Sequence, residues 1–166
     1  MAKTEVLALT GVVTRGRGGA KKLFVQEPVP GALPEGESLF PGSLNVVLEL
    51  PVQLDFRMAI PFAGGKRYLW PVSINGVEAP VFIYRWKGCP LHVLEIVSTQ
   101  RLRDLLGLED GSALELALPC DHVVQVSQMA AAVWWVLWRG RETSYYTNEY
   151  YKRLVSISRL NRFCSQ

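Results

Sequence analysis

The sequence predicts a mainly β domain, a small barrel or sandwich, followed by a helical extension. Three observations carry that reading: short apolar segments separated by turn chemistry, a single two-turn helix near residue 100, and a change from strand-like to helix-like patterning at Pro119. The 166 residues are 49% hydrophobic and 20% charged, enough for one domain with a real core. A mean hydropathy of +0.12 excludes disorder over most of the length.

Strands are expected over residues 5–13, 22–26, 44–50, 67–74, 79–84, 91–97 and 113–118. Between them, Asn75-Gly76 is a hairpin signal because both residues tolerate positive φ. The segment 28–36 holds three prolines and is read as a loop, since proline can neither continue a helix nor donate to a central ladder. The helix spans 99–106: Ser98 or Thr99 can cap it, Leu102, Leu105 and Leu106 recur at helical spacing, and Gly107 can end it. Beyond Pro119 helices are expected over 128–138 and 147–160, the second with Tyr150, Leu154 and Ile157 on one face. The chain thus divides into a barrel over 1–118 and an aromatic-rich helical extension over 119–166, expected to pack on the barrel or on a partner subunit.

Charge follows the same division. Residues 1–118 carry 12 basic and 12 acidic side chains, whereas 119–166 carry 6 basic and 3 acidic, so the whole net charge of +3 lies in the extension. The extension also holds eight of the seventeen aromatics, which favours self-association into a homo-oligomer. A neutral barrel and a tail of +3 make a weak electrostatic footprint for nucleic acid.

Several function classes are excluded. The longest apolar run, 129–138, is ten residues, too short to cross a bilayer. The first residues lack the pattern of a secretory signal. Cys89, Cys120 and Cys164 are odd in number and widely spaced, which argues for a reducing compartment and a cytoplasmic protein. Cys89-x-x-His92 and Cys120-x-His122 have zinc-ligand residue types, but nothing brings the pairs together, and buried cysteine with incidental histidine is the simpler reading. No P-loop, nucleophile-elbow or zincin motif is present.

Three segments carry candidate chemistry. Gly11 to Lys22 is a strand running into a glycine loop that ends in two lysines, where backbone N–H groups and ammonium charges can hold phosphates. In Pro41-Gly42-Ser43-Leu44-Asn45 the alternate residues Ser43 and Asn45 face one side and offer neutral oxygens, which Mg²⁺ accepts when phosphates supply the charge. A strand bearing one carboxylate, Glu95, leads to Gln100, Arg101 and Arg103 at a helix start, a place for phosphate or a base edge.

Taken in order, these pieces resemble the CTP-dependent riboflavin kinase family, the archaeal-type enzymes built on a cradle-loop (RIFT-type) β-barrel. The resemblance covers about residues 9–118 and rests on the Gly16-x-Gly18 loop, Pro41-Gly42-Ser43-Leu44-Asn45, the Glu95 to Arg103 segment and Leu106-Gly107-Leu108-Glu109-Asp110-Gly111. It implies Ser43 and Asn45 as Mg²⁺ ligands, and Gly16, Arg17, Gly18, Gly19, Ala20 and Lys21 along the nucleotide with Gln100, Arg101, Leu102 and Arg103 closing over it. It implies Glu95 facing the flavin as a catalytic group with Lys21, and Lys87 at the position of a flavin-contacting threonine. Ser43 replaces the family's threonine, and the 28–36 loop stands where the family has a helix. The activity implied is transfer of the γ-phosphate of CTP to the ribityl 5′-hydroxyl of riboflavin, giving FMN and CDP. Three other readings stay open: a CTP-dependent kinase of another small alcohol, a swapped-hairpin DNA-binding barrel, and a non-catalytic nucleotide sensor.

Overall fold

A computed structural model describes residues 5–16, 21, 22, 24, 29 and 31–150. Its strands are β1 (Val6–Thr14), β2 (Leu44–Leu48), β3 (Gln53–Leu54), β4 (Ile60–Phe62), β5 (Arg67–Val72), β6 (Val81–Trp86), β7 (Val93–Ser98), β8 (Ala113–Pro119) and β9 (Val123–Val124). Its helices are α1 (Leu102–Leu106), α2 (Gln128–Leu137) and α3 (Ser144–Thr147). Seven strands form one sheet in the order β4-β5-β6-β7-β2-β1-β8, every pair antiparallel, and β3 pairs with β9. Just beyond β5, Ser73 exchanges both backbone hydrogen bonds with Ala117 of β8 at 2.9 Å. That bridge brings the far edge of the sheet back to β5, and the sheet curls into a small barrel.

Alternation decides which side chains fill it. On β7, Leu94 and Ile96 point inward and meet Val13, Val46, Ile83 and Leu116, all almost fully buried. Trp70 lies at 0% exposure in the same core, and its indole N–H donates to the Asp55 carbonyl at 2.8 Å, so the large ring is buried without an orphaned donor. The alternate residues Val93, Glu95 and Val97 project to the outer face. Val93 is covered by Trp134, Trp138 and Tyr145, and Val97 packs with Phe24, Leu39 and Phe82. Glu95 lies between these two outer clusters.

The described part of the extension packs on the barrel. Helix α2 begins where the Ser127 hydroxyl accepts from the Ala130 N–H at 3.2 Å, and its inner face seats Ala130 against Leu91 and Trp134 and Trp138 against Cys89 and Val93. Pro119 is the last residue of β8, opposite Val6, and the chain passes through a single turn at 120–122 into β9.

Three elements differ from expectation. Lys21, Lys22 and Phe24 are helical, so the strand over 22–26 does not form at those positions; Phe24 buries against Phe62 and Tyr84 at ring distances of 6.0 and 5.3 Å while both lysines stay exposed. Helix α1 starts at Leu102 because Ser98 remains in β7, its hydroxyl donating to the Pro80 carbonyl at 2.7 Å. Gly107 ends α1 with φ +60, as its position suggested. The helix expected over 147–160 begins later than expected: Thr147 closes α3, Asn148 is extended and its side chain accepts from the Tyr150 N–H at 2.9 Å, Glu149 and Tyr150 are helical, and residues 151–160 lie outside the described residues. Among the described residues no helix is long and apolar enough to cross a membrane.

Candidate functional site

Strand pairing gathers the site. Because β2 is antiparallel to both β1 and β7, the end of β1 at Thr14, the start of β2 at Leu44 and the end of β7 at Ser98 lie on the same side. The segments leaving that side carry Arg15, Gly16, Ser43, Gln100 and Arg103 to one cavity of about 1010 Å³. In register, Asn45 stands opposite Thr14 on one neighbour and Glu95 on the other, and Glu95 stands opposite Tyr84. Directly opposed residues share a face, so Asn45, Glu95 and Tyr84 form a row across the outer surface of the barrel.

Glu95 is the carboxylate of this row. The Ser43 hydroxyl donates to its Oε2 at 3.2 Å. Burial pushes its pKa up to about 7, against the lowering effects of the Ser43 bond and the Arg67 charge. Asn45, 7% exposed, is backed by Gly16, where a Cβ would overlap the amide nitrogen. Glycine at position 16 therefore fixes where the Asn45 amide can lie.

The cavity has two unlike ends. At the end of β7 the rim is basic: Arg103 Nη2 donates to the Thr14 carbonyl at 3.1 Å and to Asp110 Oδ1 at 2.8 Å, and Arg15 Nε lies 3.6 Å from Asp110 Oδ2. Lys21 and Arg101 add further cations there, Arg101 pairing with Asp104 at 3.1 Å. Toward the start of β7 the lining turns aromatic, with Tyr84, Trp86, Tyr145 and Tyr146, and the Arg67 guanidinium lies 5.9 Å from the Trp86 ring centroid. Asn45 and Glu95, with Ser43 bonded to Glu95, lie between the two.

Of the residues singled out in the sequence, Gly16, Lys21, Ser43, Asn45 and Glu95 line this cavity, as do Gln100, Arg101, Leu102 and Arg103. Arg17, Gly18, Gly19 and Ala20 lie outside the described residues. Lys87 is not in the lining: the turn after β6 carries its ammonium to 5.9 Å from the rings of Phe56 and Tyr68. Sequence reasoning missed Arg67, Tyr84, Trp86, Tyr145 and Tyr146. The first three share the outward parity of their strands, a signal legible only once the register is known; the tyrosine pair belongs to the aromatic-rich extension, which was expected only to pack on the barrel or on a partner subunit.

The Ser43 hydroxyl and the Asn45 amide oxygen are hard, neutral donors on one face beside a cationic rim, a set that suits Mg²⁺ carried by phosphates. Among the described residues no group of three or more His, Cys, Asp and Glu side chains could hold a metal by itself. Cys89 is buried, its thiol pushed up to about 12 by burial, and His92 is engaged with the Glu142 carbonyl at 3.0 Å.

No protein-family model matches the chain. Among curated proteins, it is 32% identical to the riboflavin kinase of Ignicoccus hospitalis over 128 residues, which cover 68% of this chain and 72% of that protein. It is likewise 32% identical to the riboflavin kinase of Pyrobaculum arsenaticum over 126 residues, 66% of this chain and 60% of the relative. Identity to the riboflavin kinase of Methanosarcina barkeri is 32% over 131 residues, 69% of this chain and 57% of the relative. The matched stretch thus spans about three fifths of the Pyrobaculum and Methanosarcina proteins.

Proposed function

We propose that this chain, which belongs to the archaeal riboflavin kinase family, phosphorylates the ribityl 5′-hydroxyl of riboflavin to give FMN, with CTP as donor and CDP as the second product. The observation that carries this reading is the position of Glu95, with Ser43 and Asn45 beside it, between a basic end and an aromatic end of a single cavity. A nucleoside triphosphate suits the first end and a flat heteroaromatic alcohol suits the second, so the reacting groups would meet at the carboxylate.

In this mechanism Gly16, Lys21, Gln100, Arg101, Leu102 and Arg103 bind the nucleotide, and Lys21 and Arg101 offset phosphate charge. Arg103, tied to Thr14 and Asp110, positions the rim against the end of β1. Arg17, Gly18, Gly19 and Ala20 complete the loop in the same reading. Ser43 and Asn45 would hold Mg²⁺, which supplies charge neutralisation on the phosphate oxygens. Glu95 orients the acceptor hydroxyl and takes its proton as the new phosphorus–oxygen bond forms and the bond to the leaving diphosphate breaks. Most of the rate enhancement comes from alignment, since phosphoryl transfer passes through a loose transition state that asks for positioning and electrostatics rather than covalent chemistry. We place the reaction in the cytoplasm, in keeping with free Cys89 and Cys120.

The test is chromatographic detection of FMN after incubating the protein with riboflavin, Mg²⁺ and CTP, ATP, GTP or UTP in separate reactions. FMN with CTP alone supports donor and acceptor together. FMN with another donor corrects the nucleotide, and no FMN with any donor, from folded protein that binds CTP, overturns the acceptor.

A further inference from the structure

We propose that Tyr145 and Tyr146, supplied by the extension rather than by the barrel, form the stacking wall for the planar ring system of the acceptor. The inference deepens the riboflavin reading and rests on it. Both residues line the cavity that holds Glu95, although some fifty positions separate them from it in the chain. They line it at its aromatic end, because Tyr145 packs with Trp138 and Val93, and Val93 is the first residue of β7, two positions before Glu95 and away from the basic rim.

The wall is built firmly enough to select a shape. Trp138 meets Tyr145 edge to face at 6.2 Å, and Tyr145 meets Tyr146 at 4.9 Å with the rings inclined by 80°. The turn that carries the pair back from α2 is fixed at several points. Gly140 takes φ +73, its N–H donates to Glu142 Oε1 at 2.6 Å, and the Glu142 carbonyl lies 3.0 Å from His92 Nε2 in the barrel. Arg141 adds backbone and side-chain bonds to Trp138 and Val136 at 2.7 and 2.8 Å. Rings ordered in this way at the edge of a cavity offer a flat ligand one ring face to stack on and one ring edge to meet, without loss of side-chain freedom, the condition under which aromatic contacts contribute most. Tyr84 and Trp86 supply the barrel's share of the same end, and a planar heteroaromatic ring is the ligand chemistry that four such side chains fit.

The experiment compares wild type with Tyr145→Leu and Tyr146→Leu by titrating riboflavin and following the quench of flavin fluorescence, alongside the KM for riboflavin and the Kd for CTP. We expect each leucine variant to raise the KM and Kd for riboflavin roughly tenfold or more and to reduce the quench, with CTP affinity unchanged. Riboflavin affinity and quench equal to wild type in both variants overturn the inference. Wild-type protein that binds CTP but no flavin overturns the riboflavin reading itself, a separate outcome. Should the leucine variants fail to bind CTP and so prove misfolded, Tyr146→Trp decides: a ring wall predicts a deeper quench of bound flavin, and an unchanged quench overturns the proposal.

Discussion

Gly16 and Asn45 are so closely apposed that a Cβ at position 16 would overlap the Asn45 amide nitrogen. The contact joins the end of β1 to the start of β2, and it ties the glycine loop to the proposed metal ligand. Gly16→Ala should therefore displace the amide rather than unfold the barrel. We expect turnover to fall about 10²-fold, the scale of an ångström of misplacement, with a thermal midpoint close to wild type. Asn45→Ala should leave the fold intact and abolish Mg²⁺-dependent turnover, which a magnesium titration of FMN formation would read. Full activity in folded Asn45→Ala protein would remove the metal assignment.

Glu95→Gln tests the proton acceptor. The amide keeps an oxygen for the Ser43 hydroxyl, so the local geometry is retained while the basic group is lost. Turnover should drop by about 10²–10⁴, the range for removing a positioned base, and calorimetric CTP affinity should hold. Equal losses in turnover and CTP affinity would instead make Glu95 a structural partner of Ser43.

How far these features could be read in advance depended on the range of the interaction that makes them. The strands over 5–13 and 113–118 were legible because one buried face imposes alternation, that over 44–50 as a short apolar run buried throughout β2, and α2 because Met129 to Ala132 are good helix formers. Lys22 and Phe24 were misread as strand because one buried ring beside exposed lysines leaves no period to detect. The two- and three-residue strands β3, β4 and β9 are likewise too short to pattern, and β3 and β9 exist only as each other's partners. In the site, Ser43, Asn45 and Glu95 stood out as chemistry. Tyr145 and Tyr146 did not, since only the turn at Gly140 and the His92 contact bring them to the cavity, and both are long-range facts.

His92 gives the pH dependence. It is fully buried and burial lowers its pKa to about 4, well under its ordinary value of 6.5. A folded state that holds the imidazole neutral is stabilised above pH 6.5, and that stability is lost as pH falls from 6.5 through about 4, because the unfolded chain takes up the proton first. The full effect is of order 3 kcal/mol. Denaturant unfolding at a series of pH values should show a steeper acid loss in wild type than in His92→Asn. Parallel curves would mean that the ring is protonated in the fold.

Arg85 is a buried cation whose guanidinium is occupied by backbone: Nε donates to the Val93 carbonyl at 3.1 Å, and Nη1 and Nη2 donate to the Val52 and Leu91 carbonyls at 2.8 Å each. It stitches β6 to the start of β7 and to the segment before β3, and Val93 at that strand start packs against Tyr145. Arg85→Met would remove three hydrogen bonds at once, leaving the Leu91 carbonyl with only the Val52 N–H at 2.9 Å and the Val93 carbonyl with only the Cys89 thiol at 3.9 Å, and we expect a loss of about 3–5 kcal/mol by denaturant unfolding. Arg85→Lys should recover little, because one ammonium cannot reproduce a planar fork aimed at three acceptors. Riboflavin affinity should weaken more than CTP affinity in whatever folded fraction remains, since the strand start that Arg85 holds supports the aromatic end of the cavity and not the basic rim. A methionine variant as stable as wild type would show that the donors these carbonyls retain, together with water, replace the guanidinium.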